Sequence, residues 1–390
     1  MTSSLSSGNA ARERVVQPRD WTPPEISERA SEYVARRYRP EDKPDILRLN
    51  ALYGRVSELA QSDYFDWLYE HNPAGQPALL VAAEETDGKI VGFIWYIPVR
   101  LRYFETCVIG FLGANALVDP DYRRQNVYST LQKMAVEECI RQGATLLYAF
   151  GRPLSMKAVQ PLGFEGINMP LLVRPFDIDQ LAQARGFGTA LRRALSLGWK
   201  MAEATVCRPQ TVSGNLKVCH EAEFDQSFDR FWEQLADKYP IAVIRDRTFL
   251  TWRFCSVPFR RYVILSARDR AELVGYAVLR FAEVLGVPTG LVMDLLVEPT
   301  ARGEEAGLLL LAAAMQRFRD AGAWMSTCLM LSHTQEYNLL RRAGYLPCQR
   351  WLAPRPYLLA VRDCSEPVSP GRLADRSRHF FVTLANHDAC

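Results

Sequence analysis

The segment YFDWLYEHNP at residues 64–73 returns in altered form as FLTWRFCSVP at residues 249–258. Each copy centres on a tryptophan within an aromatic run and ends on a proline, and about 180 residues separate the two, far more than the period of a short repeat. Three more landmarks recur in the same order: IVGF at 90–93 and LVGY at 273–276, VDP at 118–120 and VEP at 297–299, LGF at 162–164 and AGY at 343–345. Landmarks that keep their order and nearly their spacing indicate a duplicated domain.

The duplication divides the chain into five parts. The 390 residues, 48% of them hydrophobic, suffice for two cores of roughly 150 residues each. We predict an N-terminal, cofactor-binding domain over 35–173, a basic connecting segment with a helix over 174–222, and a degenerate C-terminal domain over 223–362. Residues 1–34 predict a disordered tail, and residues 363–390 a C-terminal tail in which 379–384 have the pattern of an added strand.

Composition excludes several classes of protein. A net charge of +3 gives no general attraction to nucleic acid. No apolar run reaches the roughly 18 residues of a membrane span, and the first twenty residues lack the apolar core of a signal peptide. The nine cysteines are scattered and do not pair as metal ligands, so we expect reduced thiols, no metal and a cytoplasmic location.

Each copy has the pattern of an α/β (α+β) domain. Strand patterns span 78–83, 90–99, 111–118 and 146–150, and a helical pattern over 129–142 ends at Gly143, where glycine adopts a left-handed cap most easily. The order predicts two domains, each with a mixed, largely antiparallel sheet flanked by helices. Between strand and helix, the turn after Val118-Asp119-Pro120 aims backbone amides and the positive end of a helix at one point, which favours an anion.

This turn resembles that of the GNAT family of N-acetyltransferases, as do the proline, Arg123 and the closing Gly163-Phe164. The resemblance implies that acetyl-coenzyme A, or another acyl-coenzyme A, is the co-substrate. It also implies which residues bind the cofactor: Leu117, Val118, Arg123, Arg124, Gln125, Asn126, Val127, Tyr128 and Ser129. Asn126 and Tyr128 stand where the family usually has small residues. Asparagine tolerates a left-handed backbone, whereas the Tyr128 ring must find room beside the cofactor or point away.

The second copy has drifted at the corresponding turn. It keeps Arg302 and Gly307 but places Glu304 and Glu305 where a pyrophosphate would lie, and like charges at such distances repel. We therefore expect only the first copy to bind the cofactor.

Two strand residues are candidates for the catalytic step. Asn115 lies three residues before Val118, and Asp294 holds the equivalent place in the second copy. A buried aspartate is costly unless paired, so Asp294 either acts on the substrate or accepts from a buried donor; Asn115 either orients a substrate or water or bridges locally. The tyrosine that the family often uses to protonate the leaving thiolate is replaced by Val159 and Leu340.

The connecting segment predicts a basic amphipathic helix. Arg185, Arg192, Arg193 and Lys200 alternate with apolar residues. Such a helix either packs its apolar side on a sheet with its charges in water, or rests on a membrane surface or an acidic partner.

The sequence thus indicates an N-acyltransferase that moves an acetyl group directly from acetyl-coenzyme A to a primary amine of a small molecule, such as an amino sugar or amino acid. Two alternatives stay open at this point: a doubled domain of the same kind that transfers an aminoacyl or long acyl chain, and a catalytically degenerate binding or regulatory protein. The acceptor, the acyl length and the oligomeric state are also open.

Overall fold

The computed structural model describes residues 33–52, 57–84, 86–151, 153–206, 216–348, 357–365 and 376–386. The strands are β1 (Tyr33–Arg37), β2 (Ala78–Glu84), β3 (Ile90–Tyr103), β4 (Thr106–Val118), β5 (Leu146–Gly151), β6 (Glu165–Met169), β7 (Leu171–Pro175), β8 (Leu216–Glu221), β9 (Ile241–Val243), β10 (Val263–Asp269), β11 (Glu272–Val284), β12 (Val287–Val297), β13 (Met325–Leu329), β14 (Leu346–Pro347), β15 (Tyr357–Asp363) and β16 (Phe380–Phe381). The tail predicted over 1–34 lies outside these ranges up to residue 32, and β1 begins at Tyr33.

The helices include the one predicted over 129–142, which spans Val127–Arg141, and one in the connecting segment. They are α1 (Lys43–Leu52), α2 (Ser62–Tyr69), α3 (Val127–Arg141), α4 (Pro153–Val159), α5 (Ile178–Ala184), α6 (Thr189–Val206), α7 (Gln226–Leu235), α8 (Arg247–Phe254), α9 (Ala301–Asp320) and α10 (Gln335–Arg342). Gly143 adopts the expected left-handed conformation just after α3, with φ 84°. Within the described ranges no helix is both long enough and apolar enough to cross a membrane.

Two sheets with the same plan hold the two copies. In the first, the strand order is β1-β2-β3-β4-β5-β15-β6, and β9 pairs with the end of β3 and carries β16. In the second, the order is β14-β7-β13-β12-β11-β10-β8. In both, the pairings are antiparallel except for β4 with β5, β12 with β13, and the short β9 with β16. The predicted fold class, a mixed and largely antiparallel sheet with flanking helices in each copy, is confirmed.

The sheets exchange a strand. The place between β5 and β6 is filled by β15 from near the end of the chain. The equivalent place between β13 and β14 is filled by β7, which follows directly on β6 in sequence. Neither sheet is therefore complete within the predicted ranges 35–173 and 223–362. Because each copy supplies a strand to the other, we expect the two to fold as a unit.

The repeated tryptophans meet on a local two-fold axis. The rings of Trp67 and Trp252 stack with centroids 4.8 Å apart. The indole N–H of Trp67 donates to the carbonyl of Trp252 at 2.9 Å, and that of Trp252 donates back to the carbonyl of Trp67 at 3.2 Å. Such reciprocity is typical of an isologous interface. Both side chains belong to one buried apolar cluster that runs through both copies, whereas a second cluster lies between the first sheet and α3.

Candidate active site

The turn between β4 and α3 has an unusual backbone. After Val118, a short 3-10 helix spans Pro120–Tyr122, and α3 begins at Val127. Arg124 and Asn126 have φ values of 64° and 61°, in the left-handed region. Asparagine tolerates this conformation, and the two left-handed residues turn the chain from the strand end to the helix start.

The N-terminus of α3 is open to an anion. No side chain caps it, and its first turn contains no acidic residue. The first N–H groups of any helix lack intrahelical acceptors, and the helix dipole adds positive potential there. Arg123 and Arg124 lie exposed in the same turn. These groups together form a site suited to phosphate oxygens.

Strands β4 and β5 separate beside this turn. β4 pairs with β5 only from Gly110 to Gly113, although β4 continues to Val118 and β5 to Gly151. A Cβ at Gly113 would lie 3.0 Å from that of Ala149, so the last paired position requires a close approach. Beyond it the two strands no longer share hydrogen bonds, and the gap leads from the middle of the sheet to the turn.

The nine residues predicted to bind the cofactor lie together but differ in what they present. Arg123, Arg124, Asn126 and Ser129 are exposed, while Leu117 and Val127 are buried and hold the backbone in place. The Tyr128 ring packs half-buried against the cluster under α3, and burial raises its pKa. The Tyr128 ring is thus accommodated by packing against the protein.

Local hydrogen bonds brace the same turn. The Gln125 amide donates to the carbonyl of Asp121 at 3.1 Å, and the Ser129 hydroxyl donates to that of Asn126 at 2.9 Å. The hydroxyl of Tyr33 in β1 donates to the carbonyl of Gln125 at 3.3 Å. These bonds fix the turn in the absence of a conventional cap, so the backbone amides are oriented in advance.

The turn of the second copy is closed by its own side chains. The Thr300 hydroxyl accepts from the Gly303 amide at 3.0 Å and so caps α9. Arg302 is held by Glu298 at 2.6 Å and Glu272 at 2.8 Å, and a Cβ at Gly303 would lie only 2.1 Å from the carbonyl oxygen of Glu298. In the second copy, side chains of the protein thus cap the helix and hold the arginine, whereas in the first copy the helix start has no side-chain cap and Arg123 and Arg124 are exposed.

Sequence comparison identifies the family. The model of the Acetyltransferase (GNAT) family matches residues 45–162 and again residues 223–345, together more than half of the chain. The chain belongs to the GNAT family. It carries two copies of the GNAT domain, and family membership makes it an acyl-CoA-dependent acyltransferase.

Several solved structures share the fold over most of this chain. A GCN5-related N-acetyltransferase from Anabaena variabilis superposes with a TM-score of 0.58 at 11% identity, covering 85% of this chain and 73% of that chain. The N-myristoyltransferase of Saccharomyces cerevisiae with bound myristoyl-CoA gives 0.56 at 12% identity, covering 91% and 85%. A probable N-acyltransferase of Enterococcus faecalis gives 0.56 at 12% identity, covering 85% and 72%. At such identities the likeness concerns the fold. A search of curated proteins finds no significant match.

Asn115 lies in the first GNAT copy at a β-bulge next to the gap in the sheet. The register of β3 and β4 shifts between Trp95, opposite Asn115, and Tyr96, opposite Gly113, which leaves Ala114 as the extra residue. The buried Asn115 amide donates to the side-chain oxygen of Asn50 at 3.1 Å. Bulges re-aim side chains and are common near active sites.

Two buried donors beside Asn115 lack a partner among the residues that the structure describes. They are the side-chain amide of Asn50 and the indole N–H of Trp95. A buried donor left unpaired costs about 1–3 kcal/mol. Asn50 was not predicted from the sequence, although its spacing from Ile46 and Leu49 on the buried side of α1 marked it as an inward polar residue.

Asp294 occupies the equivalent bulge of the second GNAT copy in a different environment. The register shift between Val278 and Leu279 repeats that of the first copy. The Asp294 side chain and that of Arg245 are both fully buried and form an ion pair at 3.0 Å. Tyr276 and Thr383 donate hydroxyl hydrogen bonds to the same carboxylate at 2.9 and 2.8 Å. Of the two roles that the sequence left open for Asp294, these contacts favour the structural one.

The Asp294 network also secures the end of the chain. Arg245 donates to the carbonyl of Val243 at 2.9 Å and to the side chain of Asn386 at 3.1 Å. The sequence analysis did not identify Arg245 or Asn386, because their partners are distant in sequence. In the second copy, side chains of the protein itself therefore occupy both the bulge and the turn.

A further cleft lies between the two copies. It has a volume of about 730 Å³ and is lined by residues of α2, α8 and the segment before α7, among them Trp67, Trp252, His71 and Arg247. None of the nine turn residues lines it. It is a feature of the two-fold interface and not of the predicted cofactor site.

Proposed function

We propose that the first GNAT copy transfers an acyl group, acetyl in the simplest case, from acyl-coenzyme A to the primary amine of a small molecule such as an amino sugar or amino acid. The observation that carries the proposal is the contrast between the two turns. The N-terminus of α3 is uncapped beside two exposed arginines, whereas that of α9 is capped by Thr300. The second copy accordingly serves as a structural partner that completes the first sheet.

The residues of the first copy fit an acyl-coenzyme A. The pyrophosphate oxygens would accept hydrogen bonds from the backbone amides of Val127, Tyr128 and Ser129. Arg123 and Arg124 would supply positive charge. The thioester supplies an activated acyl carbon. Transfer requires the amine nitrogen, once deprotonated, to attack that carbon, and the C–S bond to break with the thiolate taking up a proton.

The acceptor would approach at the bulge. Asn115 and Asn50 form a hydrogen-bonded pair there, and the free donors of Asn50 and Trp95 can orient an oxygen of the substrate or a water. We assign Asn115 a positioning role at this place and Asp294 a structural role in the other copy.

Native mass spectrometry of the full chain with acyl-coenzyme A species of increasing chain length tests the proposal. We expect one coenzyme A per chain, with acetyl-coenzyme A bound and consumed in the presence of a panel of small amines. Two equal sites per chain, or none, would contradict the assignment. Binding of long-chain species alone would favour the long-acyl alternative, and binding without transfer to any amine would favour a regulatory module.

A further inference from the structure

Helix α6 faces the protein with a mixed side that carries one charged, one polar and one aromatic residue. Arg192, Ser196 and Trp199 are partly buried and share one side of the helix. The guanidinium of Arg192 donates to the carboxylate of Asp179 in α5 at 3.0 Å. This ion pair ties α6 to its neighbour through a charged residue, where a surface helix ordinarily uses apolar ones.

The outward side of α6 is apolar. The exposed fractions are 38% for Phe187 just before the helix, 50% for Leu191, 42% for Leu195, 63% for Leu197 and 67% for Met201. At 100° per residue the four positions within the helix, Leu191, Leu195, Leu197 and Met201, fall within an arc of roughly 160°. The apolar side that the sequence offered for packing on a sheet is therefore largely exposed, with Trp199 as its partly buried member, and Arg193 and Lys200 are exposed as well.

Cations border this apolar arc. Arg193 and Lys200 are exposed and lie next to Leu197 on the helix surface, and Arg185 is exposed just before α6. A second copy of the chain docked on the same face would add the same cations to one interface, because an isologous contact repeats the same patch. Their charge instead matches an anionic surface that also accepts apolar side chains.

We propose that α6 docks the protein on the surface of an anionic lipid bilayer. The helix would lie in the plane of the interface, with Leu191, Leu195, Leu197 and Met201 in the boundary between headgroups and acyl chains and the cations against lipid phosphates. From Phe187 to Met201 the face is about 21 Å long. The contact is peripheral and independent of catalysis.

Vesicle co-sedimentation of the full chain tests this docking. We compare vesicles of phosphatidylcholine alone with vesicles that also contain phosphatidylserine, at low and high salt. The wild type should pellet with the anionic vesicles only, and less at high salt. The double variant Leu191→Glu with Leu195→Glu should lose at least about tenfold in vesicle affinity, since it places carboxylates in the inserted face.

Two further variants separate charge from apolar insertion. Arg193→Glu with Lys200→Glu should weaken binding to anionic vesicles by roughly 25-fold or more, since each cation near such a surface contributes about fivefold. Leu285→Glu, at an equally exposed leucine in the turn between β11 and β12, serves as the matched control and should bind as the wild type does. The altered side chains are all exposed, and melting curves confirm that each variant is folded.

The proposal is overturned if the wild type pellets with neither vesicle, or if the leucine variants bind as well as Leu285→Glu does. It is also overturned if the wild type is a dimer that Leu191→Glu dissociates while vesicles remain unbound. In that case the apolar face joins two copies. Because the readout is binding without substrates, failure here leaves the proposed acyl transfer untouched.

Discussion

Replacing Asp294 with asparagine separates a structural from a catalytic role at the bulge of the second copy. The substitution keeps the shape of the side chain but removes its charge. It also turns one acceptor into an amide donor that faces the buried guanidinium of Arg245. Because both side chains are fully buried, water cannot take over the lost interaction.

The expected cost follows from the contacts. The Asp294 carboxylate accepts from Arg245 at 3.0 and 3.3 Å, from Tyr276 at 2.9 Å and from Thr383 at 2.8 Å. Burial, followed by the Asp294 charge, raises the pKa of Tyr276 well above its ordinary value, so its hydroxyl stays a donor. Removing one partner of a buried ion pair costs about 3–5 kcal/mol. A lone neutral hydrogen bond would cost only about 1–3 kcal/mol.

Urea unfolding and amine-dependent turnover on one preparation measure both roles. We expect Asp294→Asn to lose about 3–5 kcal/mol of unfolding free energy, with turnover per folded molecule unchanged. The matched control is the double variant Arg245→Met with Asp294→Leu, which removes both charges. It should be more stable than the sum of the effects of Arg245→Met and Asp294→Leu alone predicts, by about 2–3 kcal/mol, because neither charge is left alone.

The opposite result would refute the structural assignment. If Asp294→Asn kept its stability within about 0.5 kcal/mol and its turnover fell by about 10²-fold, a typical share for acid–base assistance, the carboxylate would belong to the acceptor site. Additive single variants would show that Arg245 and Asp294 are not coupled.

Much of the fold was accessible from the sequence because its signals are local. The strands at 78–83, 90–99 and 111–118 and the helix ended by Gly143 stand as predicted, since alternation and capping depend on neighbours in the chain. The strand exchange was not accessible. Leu171–Pro175 and Tyr357–Asp363 have apolar patterns that suit either sheet, and only the three-dimensional arrangement selects the partner.

The same distinction holds at the site. The turn around Asn126 could be predicted because a strand end, a left-handed residue and a helix start follow one another within a few residues. The partners of Asp294 could not, because Arg245 is 49 and Thr383 is 89 residues away in the chain. For α6, periodicity defines which residues share a side but not which side faces inward.

Two further variants test the turn and the electrostatics around α3. Arg123→Glu with Arg124→Glu should abolish coenzyme A binding in calorimetry, because each charge-assisted contact contributes about 1.5–3 kcal/mol and reversal adds repulsion. Its matched control, Arg302→Gln in the second copy, should bind within about twofold yet lose about 1–2 kcal/mol of stability with its partly exposed ion pairs. If the two variants bind alike, the division of roles between the copies is wrong. The second variant is Glu138→Gln. Arg141, aided by Gln142 and Arg37, lowers the pKa of Glu138 to about 2. A carboxyl whose folded pKa is depressed stabilises the protein above its unfolded pKa of about 4.5, and that stabilisation is lost as the pH falls toward about 2. Because the arginines are exposed and solvent screens their charges, this stabilisation is reduced, and the wild type should be about 1–2 kcal/mol more stable than Glu138→Gln at pH 7. Unfolding curves measured from pH 7 to low pH should show this stability difference shrinking. At low pH Glu138 of the wild type is protonated and, like the glutamine of the variant, carries no charge. A stability difference independent of pH would mean that Glu138 contributes through its shape and not through its charge.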